Sequence, residues 1–304
     1  MKRNSSLSAV FIIAAASLWG TAGIFVRTLD GCGLTSMQLV FERAVFSLII
    51  LGAITLFKDP NLFKIRIKDL WCFAGSGIIS IVMFNYCYYK TMELTSLSVA
   101  AVLLYTAPFF VVIMSLFLFK EKLTLKKCAA CICAFIGCCF VSGLFASSQR
   151  ITTTALCYGL LTGLGYSFYT IFGQILLKKG YHSLTVTFYT FLFAALGTVP
   201  LVNTAQTVAI TFSSAKIFTV ALLMAVINTV LPYILYTNGL AGVDASKAPI
   251  MATVEPVVAT VIGTVVYHEK ITVGTVIGIV LVLSAVVILN FKAGNRDEKL
   301  KAKS

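Results

Sequence analysis

Charged side chains are scarce in this sequence, and their scarcity excludes a water-soluble protein. Asp, Glu, Lys and Arg make up 12% of the 304 residues, whereas soluble domains carry about 25%. Apolar residues reach 59%, against about 45–50% in soluble domains. A soluble fold of this length could not hide so much apolar surface from water. The composition therefore predicts an integral membrane protein.

Motifs for nucleotide, metal and nucleophile chemistry are also missing. The sequence has no Gly-x-x-x-x-Gly-Lys-Ser/Thr phosphate-binding loop and no Gly-x-Gly-x-x-Gly run after a strand. Its two histidines, His182 and His268, fall at the edges of apolar runs, which argues against a multi-histidine metal site. No Ser-His-Asp or clustered-carboxylate constellation is visible. We therefore expect no cofactor, no metal and no enzymatic activity.

The nine cysteines leave two interpretations, packing and metal binding. Five of them lie on one predicted helix with no histidine nearby, namely Cys128, Cys131, Cys133, Cys138 and Cys139. Cysteine within an apolar helix behaves as a small hydrophobic residue. The spacing of Cys128 and Cys131 is ligand-like, but a metal site would need a second ligand pair. We interpret the cluster as packing.

Long apolar runs recur along the whole chain. Each has about 20 residues, enough to cross a hydrocarbon layer about 30 Å thick. The runs are continuous rather than alternating, which favours helices over a barrel. We predict ten transmembrane helices at Ser8–Arg27, Thr35–Phe57, Leu70–Tyr89, Leu97–Phe119, Leu125–Phe145, Thr154–Leu177, Ser183–Asn203, Lys216–Asn238, Ala245–Tyr267 and Thr272–Phe291.

The second half of the chain repeats features of the first at a fixed shift of 148 residues. The identities at this shift are Tyr88/Tyr236, Ser98/Ser246, Ala100/Ala248, Pro108/Pro256, Glu121/Glu269, Lys122/Lys270 and Thr124/Thr272. A constant shift of about half the chain indicates a duplicated unit. We predict two five-helix repeats, at 8–145 and 154–291, and a charged cytoplasmic tail at 292–304.

The basic residues predict the orientation of these helices. With a cytoplasmic N-terminus, eighteen of the 24 Lys and Arg fall on the cytoplasmic side and five on the outer side. The cytoplasmic turn at 120–127 carries four lysines, and its counterpart at 268–275 carries one. The two repeats therefore enter the membrane from opposite sides, and both chain termini are cytoplasmic. Because the excess positive charge is used by these loops, we expect no nucleic-acid partner.

Three charges fall inside predicted spans, at Glu42, Arg43 and Glu255. Each costs about 2.5–3.5 kcal/mol on insertion scales, so each is a candidate for function. One interpretation is a buried structural ion pair, and the other is contact with substrate or a proton. Glu255 and Glu42 are the candidates for proton coupling.

Pro108 and Pro256 lie near the middle of the fourth and ninth predicted helices, and each removes a helical hydrogen bond. Broken helices at matching positions of two halves point to a transporter's central site. We predict that both prolines are hinges.

Aromatic and amide side chains on the same spans predict a lined central cavity for a small amphipathic solute. Some of these tyrosines are expected to belong to the interfacial aromatic belt instead, notably Tyr88, Tyr89, Tyr236 and Tyr267 near span ends. The predicted substrate-binding residues are Trp19, Arg43, Asn85, Tyr86, Tyr105, Tyr166, Tyr169, Asn228, Tyr233 and Glu255.

Several short motifs, in order, resemble the EamA family of the drug/metabolite transporter superfamily. They are Trp19-Gly20, Arg43, Tyr105 and Pro108 followed by KEKLT at 120–124, and Glu255-Pro256 followed by HEKIT at 268–272. The resemblance extends from Ser8 to Phe291. It implies ten helices in a five-plus-five inverted repeat around a central cavity, with alternating access.

These observations predict a secondary carrier for a small organic metabolite, an amino acid or related compound, with export as the expected direction. Drugs, sugars or nucleobases are alternative substrates. A lipid-modifying enzyme or a non-transporting assembly subunit is the alternative of a different class. We expect a monomer or homodimer in the lipid bilayer of a bacterial plasma membrane, with a proton as a possible coupling ion.

Overall fold

The apolar runs form helices because a helix satisfies the backbone polar groups within its own segment. The computed structural model describes residues 5–29, 31–144 and 151–290. Throughout these ranges the regular structure is helical, with no β-strand. The predicted tail at 292–304 lies outside the described residues.

Nine helical segments within the described ranges are long and apolar enough to cross a membrane. They are α1 (Ser5–Leu29), α2 (Ser36–Lys58), α3 (Ile67–Leu94), α4 (Leu97–Phe119), α6 (Thr153–Lys178), α7 (Ser183–Leu201), α8 (Ala215–Leu240), α9 (Ala248–Tyr267) and α10 (Val273–Asn290). Between α4 and α6 lies α5 (Leu125–Val141), which has 17 residues. A short helix at Thr204–Thr211, before α8, is not among the predicted segments.

Three of the long helices are broken part-way. Helix α1 stops at Trp19 and resumes at Ala22. Helix α4 is interrupted between Leu104 and Ala107, and α9 at Thr253. The breaks in α4 and α9 come just before Pro108 and Pro256, as expected from the hydrogen bond that proline removes. The α1 break has no proline, and the sequence analysis missed it.

Helices α3 and α8 each contain a π-helical stretch, at Gly75–Met83 and Val226–Val230. In such a stretch the hydrogen bonds reach one residue further than in an α-helix, which rotates the following side chains about the helix axis. Shifting Gly75–Met83 by 148 residues gives 223–231, which contains the second stretch. The irregularities therefore recur at equivalent positions of the two halves.

The lysine-rich turns come together at one end of the bundle. The guanidinium of Arg66, before α3, donates to the carbonyl of Lys179, after α6, at 2.9 Å. The ammonium of Lys178 lies 4.2 Å from the centroid of the Phe119 ring, at the end of α4. We call this end the basic face and the other end the opposite face.

Helices α5 and α10 cross in close contact. A Cβ on Gly278 would lie 2.7 Å from the carbonyl oxygen of Gly137. The Cys133 thiol lies 3.3 Å from the Leu281 carbonyl oxygen, and these two residues are 148 positions apart. Cys133 contacts Leu281, whereas the later Gly137 contacts the earlier Gly278. The two helices are therefore antiparallel. Small residues allow this approach of two backbones.

We predict that Gly278→Ala destabilises the protein, because its methyl group would overlap backbone atoms of Gly137 and Val141. Overpacking of this kind costs about 1–3 kcal/mol. The measurement is the unfolding temperature of the purified protein. The control is Gly274→Ala, one turn away, where the nearest atoms are 3.6 Å from the added carbon. Equal unfolding temperatures for the two variants would contradict this close crossing.

Candidate functional site

Five aromatic side chains from α1, α6 and α8 form one cluster in the bundle. The Trp19 ring centroid lies 5.3 Å from that of Tyr233, 5.4 Å from that of Tyr236 and 6.4 Å from that of Tyr166. Tyr169 completes the set, 4.9 Å from Tyr233. We call these five residues the aromatic cluster. Four of the five were predicted site residues. Tyr236 is 1% exposed, so its assignment to the interfacial belt was wrong.

Helix α3 extends the cluster with Phe84 and Tyr88. The Phe84 ring lies 5.6 Å from Tyr166 and 6.2 Å from Tyr88. Tyr166, Tyr233 and Tyr88 are each only half-buried, although side chains of several helices surround them. We call the space beside these partly accessible rings the candidate cavity.

Glu255 lies beside the same cavity. Its carboxylate interacts electrostatically with Tyr88, Tyr105, Tyr166 and Tyr233. The side chain is half-buried, and it makes no hydrogen bond or salt bridge to any described residue. A carboxylate inside a membrane protein is costly unless it has a partner. Glu255 is therefore available to a ligand or a proton.

A close approach of two backbones sets the position of Glu255. A Cβ on Gly20 would lie 2.7 Å from the Glu255 carbonyl oxygen and 2.8 Å from Cβ of Val258. Only glycine fits there without a shift of α1 or α9. This contact places the α1 break, with Trp19 beside it, directly against the start of the long segment of α9.

Arg43 of α2 approaches the cavity from another side. Its guanidinium lies 3.5 Å from Oδ1 of Asn85, and it interacts electrostatically with Tyr89 and Tyr233. Tyr233 is thus close to both a positive and a negative group. Among the described residues no ion pair joins Arg43 to Glu255.

Glu42 points away from the aromatic cluster. It is 5% exposed and accepts a hydrogen bond from the hydroxyl of Thr211, on the short helix before α8. One turn earlier, Gln38 donates to Gln206 at 3.4 Å. These contacts fasten the short helix to α2. The proposed role of Glu42 in proton coupling stays a prediction.

Asn228 stabilises the break in α1 by hydrogen bonding. Its side-chain amide donates to the carbonyl oxygens of Leu18 at 3.0 Å and Trp19 at 3.1 Å. The broken helix leaves the Trp19 carbonyl without a helical donor, and Asn228 supplies one from the π-helical stretch of α8. Asn228 was a predicted site residue, and the structure places it as support for Trp19.

Two crossed hydrogen bonds join α6 to α8 through Tyr169 and Tyr236, two members of the aromatic cluster. The Tyr169 and Thr237 hydroxyls lie 2.6 Å apart, and those of Thr170 and Tyr236 lie 2.7 Å apart. All four side chains are buried. Beyond them, a cavity of about 380 Å³ lined by Gln174, Lys178, His182 and Asn238, among others, opens toward the basic face. The sequence does not predict Thr170 and Thr237 as partners of the tyrosines, because a threonine hydroxyl in a helix can instead donate to a carbonyl of its own helix.

Two further predicted residues lie at the edge of the site or outside it. Tyr105 lies at the α4 break and packs beside Cys138 and Val257 of the neighbouring helices. Tyr86 is 38% exposed on the outer surface of α3, because it follows the inward-facing Asn85 by about 100° of helix rotation. We therefore leave Tyr86 out of the site.

The family comparison decides what kind of protein carries this site. The model of the EamA-like transporter family matches residues 6–143 and again residues 153–291. The chain belongs to this family. It is therefore a multi-pass membrane transporter, as the motifs at the two prolines and their following turns predicted.

Relatives of this EamA-like transporter are similar over nearly their full lengths. The transporter YxxF of Bacillus subtilis is 24% identical, covering 94% of this chain and 90% of its own. A transporter of Archaeoglobus fulgidus is also 24% identical, covering 91% and 94%. The inner membrane transporter YicL of Salmonella typhimurium is 22% identical, covering 94% and 95%. One crystal structure shares the fold with a TM-score of 0.77 at 14% identity, covering 94% of this chain and 96% of its own.

We predict that Asn228→Leu destabilises this EamA-like transporter, because it leaves the Trp19 carbonyl buried without a donor. Such a loss costs about 1–3 kcal/mol. Thermal unfolding of the purified protein measures it. The matched control is Asn290→Leu, since Asn290 is exposed and donates only within its own helix. An Asn228 variant as stable as the control would show that the α1 break does not depend on this amide.

Proposed function

We propose that this transporter is a secondary carrier for a small organic metabolite, an amino acid or a related compound, and that it works by alternating access in the direction of export. One observation carries the proposal. Arg43 and Glu255 both act electrostatically on Tyr233, a member of the aromatic cluster, and no ion pair joins the two among the described residues. Opposite charges held apart over an apolar surface fit a zwitterion.

The ligand chemistry follows from these positions. A substrate carboxylate would pair with the Arg43 guanidinium and the Asn85 amide in a charge-assisted hydrogen bond. A substrate ammonium would pair with Glu255 and lie against the ring faces of Tyr166 or Trp19. The apolar part of the solute would cover the remaining aromatic surface. Drugs, sugars and nucleobases would use the same aromatic walls but leave one of the two charges unpaired.

We propose ten transmembrane helices in a five-plus-five inverted repeat. The double match to the family model, the antiparallel crossing of α5 and α10, and the contact of Cys133 with its own counterpart Leu281 support this arrangement. Equivalent residues touch where a pseudo-two-fold axis passes between them. By the positive-inside rule the basic face is cytoplasmic, and so are both termini, in a bacterial plasma membrane.

The experiment is thermal stabilisation of the purified protein by amino acids, sugars, nucleobases and cationic drugs. A ligand at 100 times its Kd stabilises by about 2.7 kcal/mol. We expect amino acids to stabilise, Arg43→Gln to abolish the shift, and Glu255→Gln to reduce it, because the Gln amide oxygen can still accept a hydrogen bond from a substrate ammonium. Tyr86→Phe and Glu93→Gln are exposed control changes that should preserve it. Stabilisation by none of the compounds would favour the alternative of a non-transporting membrane protein.

We further predict that Glu255, rather than Glu42, couples transport to protons. In proteoliposomes, Glu255→Gln should abolish transport driven by a pH gradient and preserve exchange of substrate across equal pH. Glu42→Gln should leave gradient-driven transport in place, because Glu42 faces Thr211 and not the cavity. The reverse pattern would move the coupling role to Glu42.

A further inference from the structure

The turns after α4 and α9 have the same backbone and present a glutamate at the same position. Lys120 and His268 both adopt the left-handed conformation, with φ of 54° and 56°. The next residue in each turn bonds back to the helix: the Glu121 N–H to the Ser115 carbonyl at 3.2 Å, and the Glu269 N–H to the Gly263 carbonyl at 3.1 Å. The two carboxylates therefore start from equivalent positions.

At the basic face, Glu121 joins the two halves of the chain. Its carboxylate accepts from the Ala245 N–H at 2.7 Å, from the Ser246 N–H at 3.4 Å and from the Ser246 hydroxyl. Lys127 lies 3.1 Å away and is itself buried. These contacts close the turn before α9 onto the turn after α4.

Asp244, in the same turn, supports this closure. It pairs with Lys127 at 3.2 Å and with Lys247 at 3.1 Å. Burial opposes ionisation of Asp244, but the hydrogen bonds and charges of Lys247 and Lys127 outweigh it, so the Asp244 pKa is lowered. The turn therefore stays ion-paired at neutral pH.

At the opposite face, Glu269 does not make the equivalent contact. Its side chain is half-exposed and pairs with Arg27 of α1 at 2.6 Å. The counterparts of Ala245 and Ser246 are Leu97 and Ser98, at the start of α4. The Ser98 hydroxyl is hydrogen-bonded to no described residue, and the first N–H groups of a helix have no partner within it. The opposite face therefore has the same donor groups as the basic face, but the Glu269 carboxylate is paired with Arg27 instead of with them.

We propose that Glu121 and Glu269 are alternating gate residues. When the basic face opens, Glu121 releases Ser246, and Glu269 leaves Arg27 to bind the Leu97 N–H and the Ser98 N–H and hydroxyl. This inference rests on the proposed function, because two inverted repeats reach the second state by exchanging their conformations. Each contact that closes one face then has a counterpart that closes the other.

The two gates have different electrostatic support. The counterpart of Lys127 is Thr275, and the counterpart of Arg27 is Ile175. The buried ammonium of Lys127 therefore favours the closed position of Glu121. The exposed guanidinium of Arg27 instead holds Glu269 away from its closed position. This difference favours the closed contact at the basic face over the equivalent contact at the opposite face.

The cysteine distribution allows a direct test by crosslinking between the halves. Cys157 is the one cysteine after residue 139, so Cys157→Ser leaves the second half without a thiol. A protease site inserted between residues 144 and 151 allows the chain to be cut into its two halves. The halves then run separately on a denaturing gel unless a crosslink joins them. Reporter cysteines replace Leu97 and Lys270 at the opposite face, both exposed and beside the gate. At the basic face they replace Lys122 and Lys247, which line one cavity of about 340 Å³.

The measurement is the initial rate of crosslinking by a short bifunctional thiol reagent, with no substrate present. We expect fast crosslinking at the basic face and slow crosslinking at the opposite face. Ser98→Ala should slow the opposite-face reaction about fivefold, the effect of one net hydrogen bond on an equilibrium. Ser246→Ala and Arg27→Gln should each accelerate it. There are two controls. Glu93→Gln removes a charge on the same face without touching the gate. The Lys270→Cys variant without the Leu97 reporter detects crosslinking to the native cysteines of the first half.

Two outcomes count against different claims. Opposite-face crosslinking that is unchanged by Ser98→Ala and by Glu269→Gln would overturn the gate and leave alternating access in place. No opposite-face crosslinking in any variant, while the basic-face pair reacts, would overturn both the gate and alternating access. The substrate panel is independent of either result, since it reports on the central cavity.

Discussion

In a bilayer, every backbone carbonyl and N–H group must find a partner inside the protein, and the site of this transporter depends on that constraint. The break in α1 leaves the Trp19 carbonyl without a helical donor, while the Leu18 carbonyl still accepts from Thr21. The Asn228 amide, in a π-helical stretch of α8, donates to the Trp19 carbonyl. The close contact at Gly20 then fixes α9, with Glu255, against the same break. Irregular backbone inside a membrane is tolerated where groups of the protein satisfy it, as Asn228 does here.

The two halves share a scaffold and differ in chemistry. Both carry a π-helical stretch, a broken helix before a proline and a left-handed turn before a glutamate. The side chains that face the cavity are not shared: Glu255 corresponds to Ala107, and Tyr233 to Asn85. The two halves therefore share these backbone elements, while the charged and aromatic side chains of the candidate site are distributed unequally between them.

Residue type predicted much of the candidate site, and the errors arose where the direction of a side chain was unknown. Trp19, Tyr166, Tyr169 and Tyr233 were predicted because buried aromatic hydroxyl and indole groups need partners, and the structure brings them together. Tyr236 was assigned to the membrane interface because it lies near a span end, yet it is buried. The α3 stretch contains no proline, and the α8 stretch ends just before Pro232, a signal that the sequence analysis did not use. The effect of the two stretches on side-chain direction was therefore not predicted.

The sequence by itself determined the membrane class, the long helices and the duplication, because span length, apolar content and a fixed repeat shift are properties of the chain read in one dimension. The tertiary structure decided which side chains meet. A position on a helix sets the angle of a side chain about its own axis, but not the neighbour that the angle faces. Asn85 and Tyr86 are adjacent in sequence, and only the packing of α2 against α3 places one at Arg43 and the other at the surface.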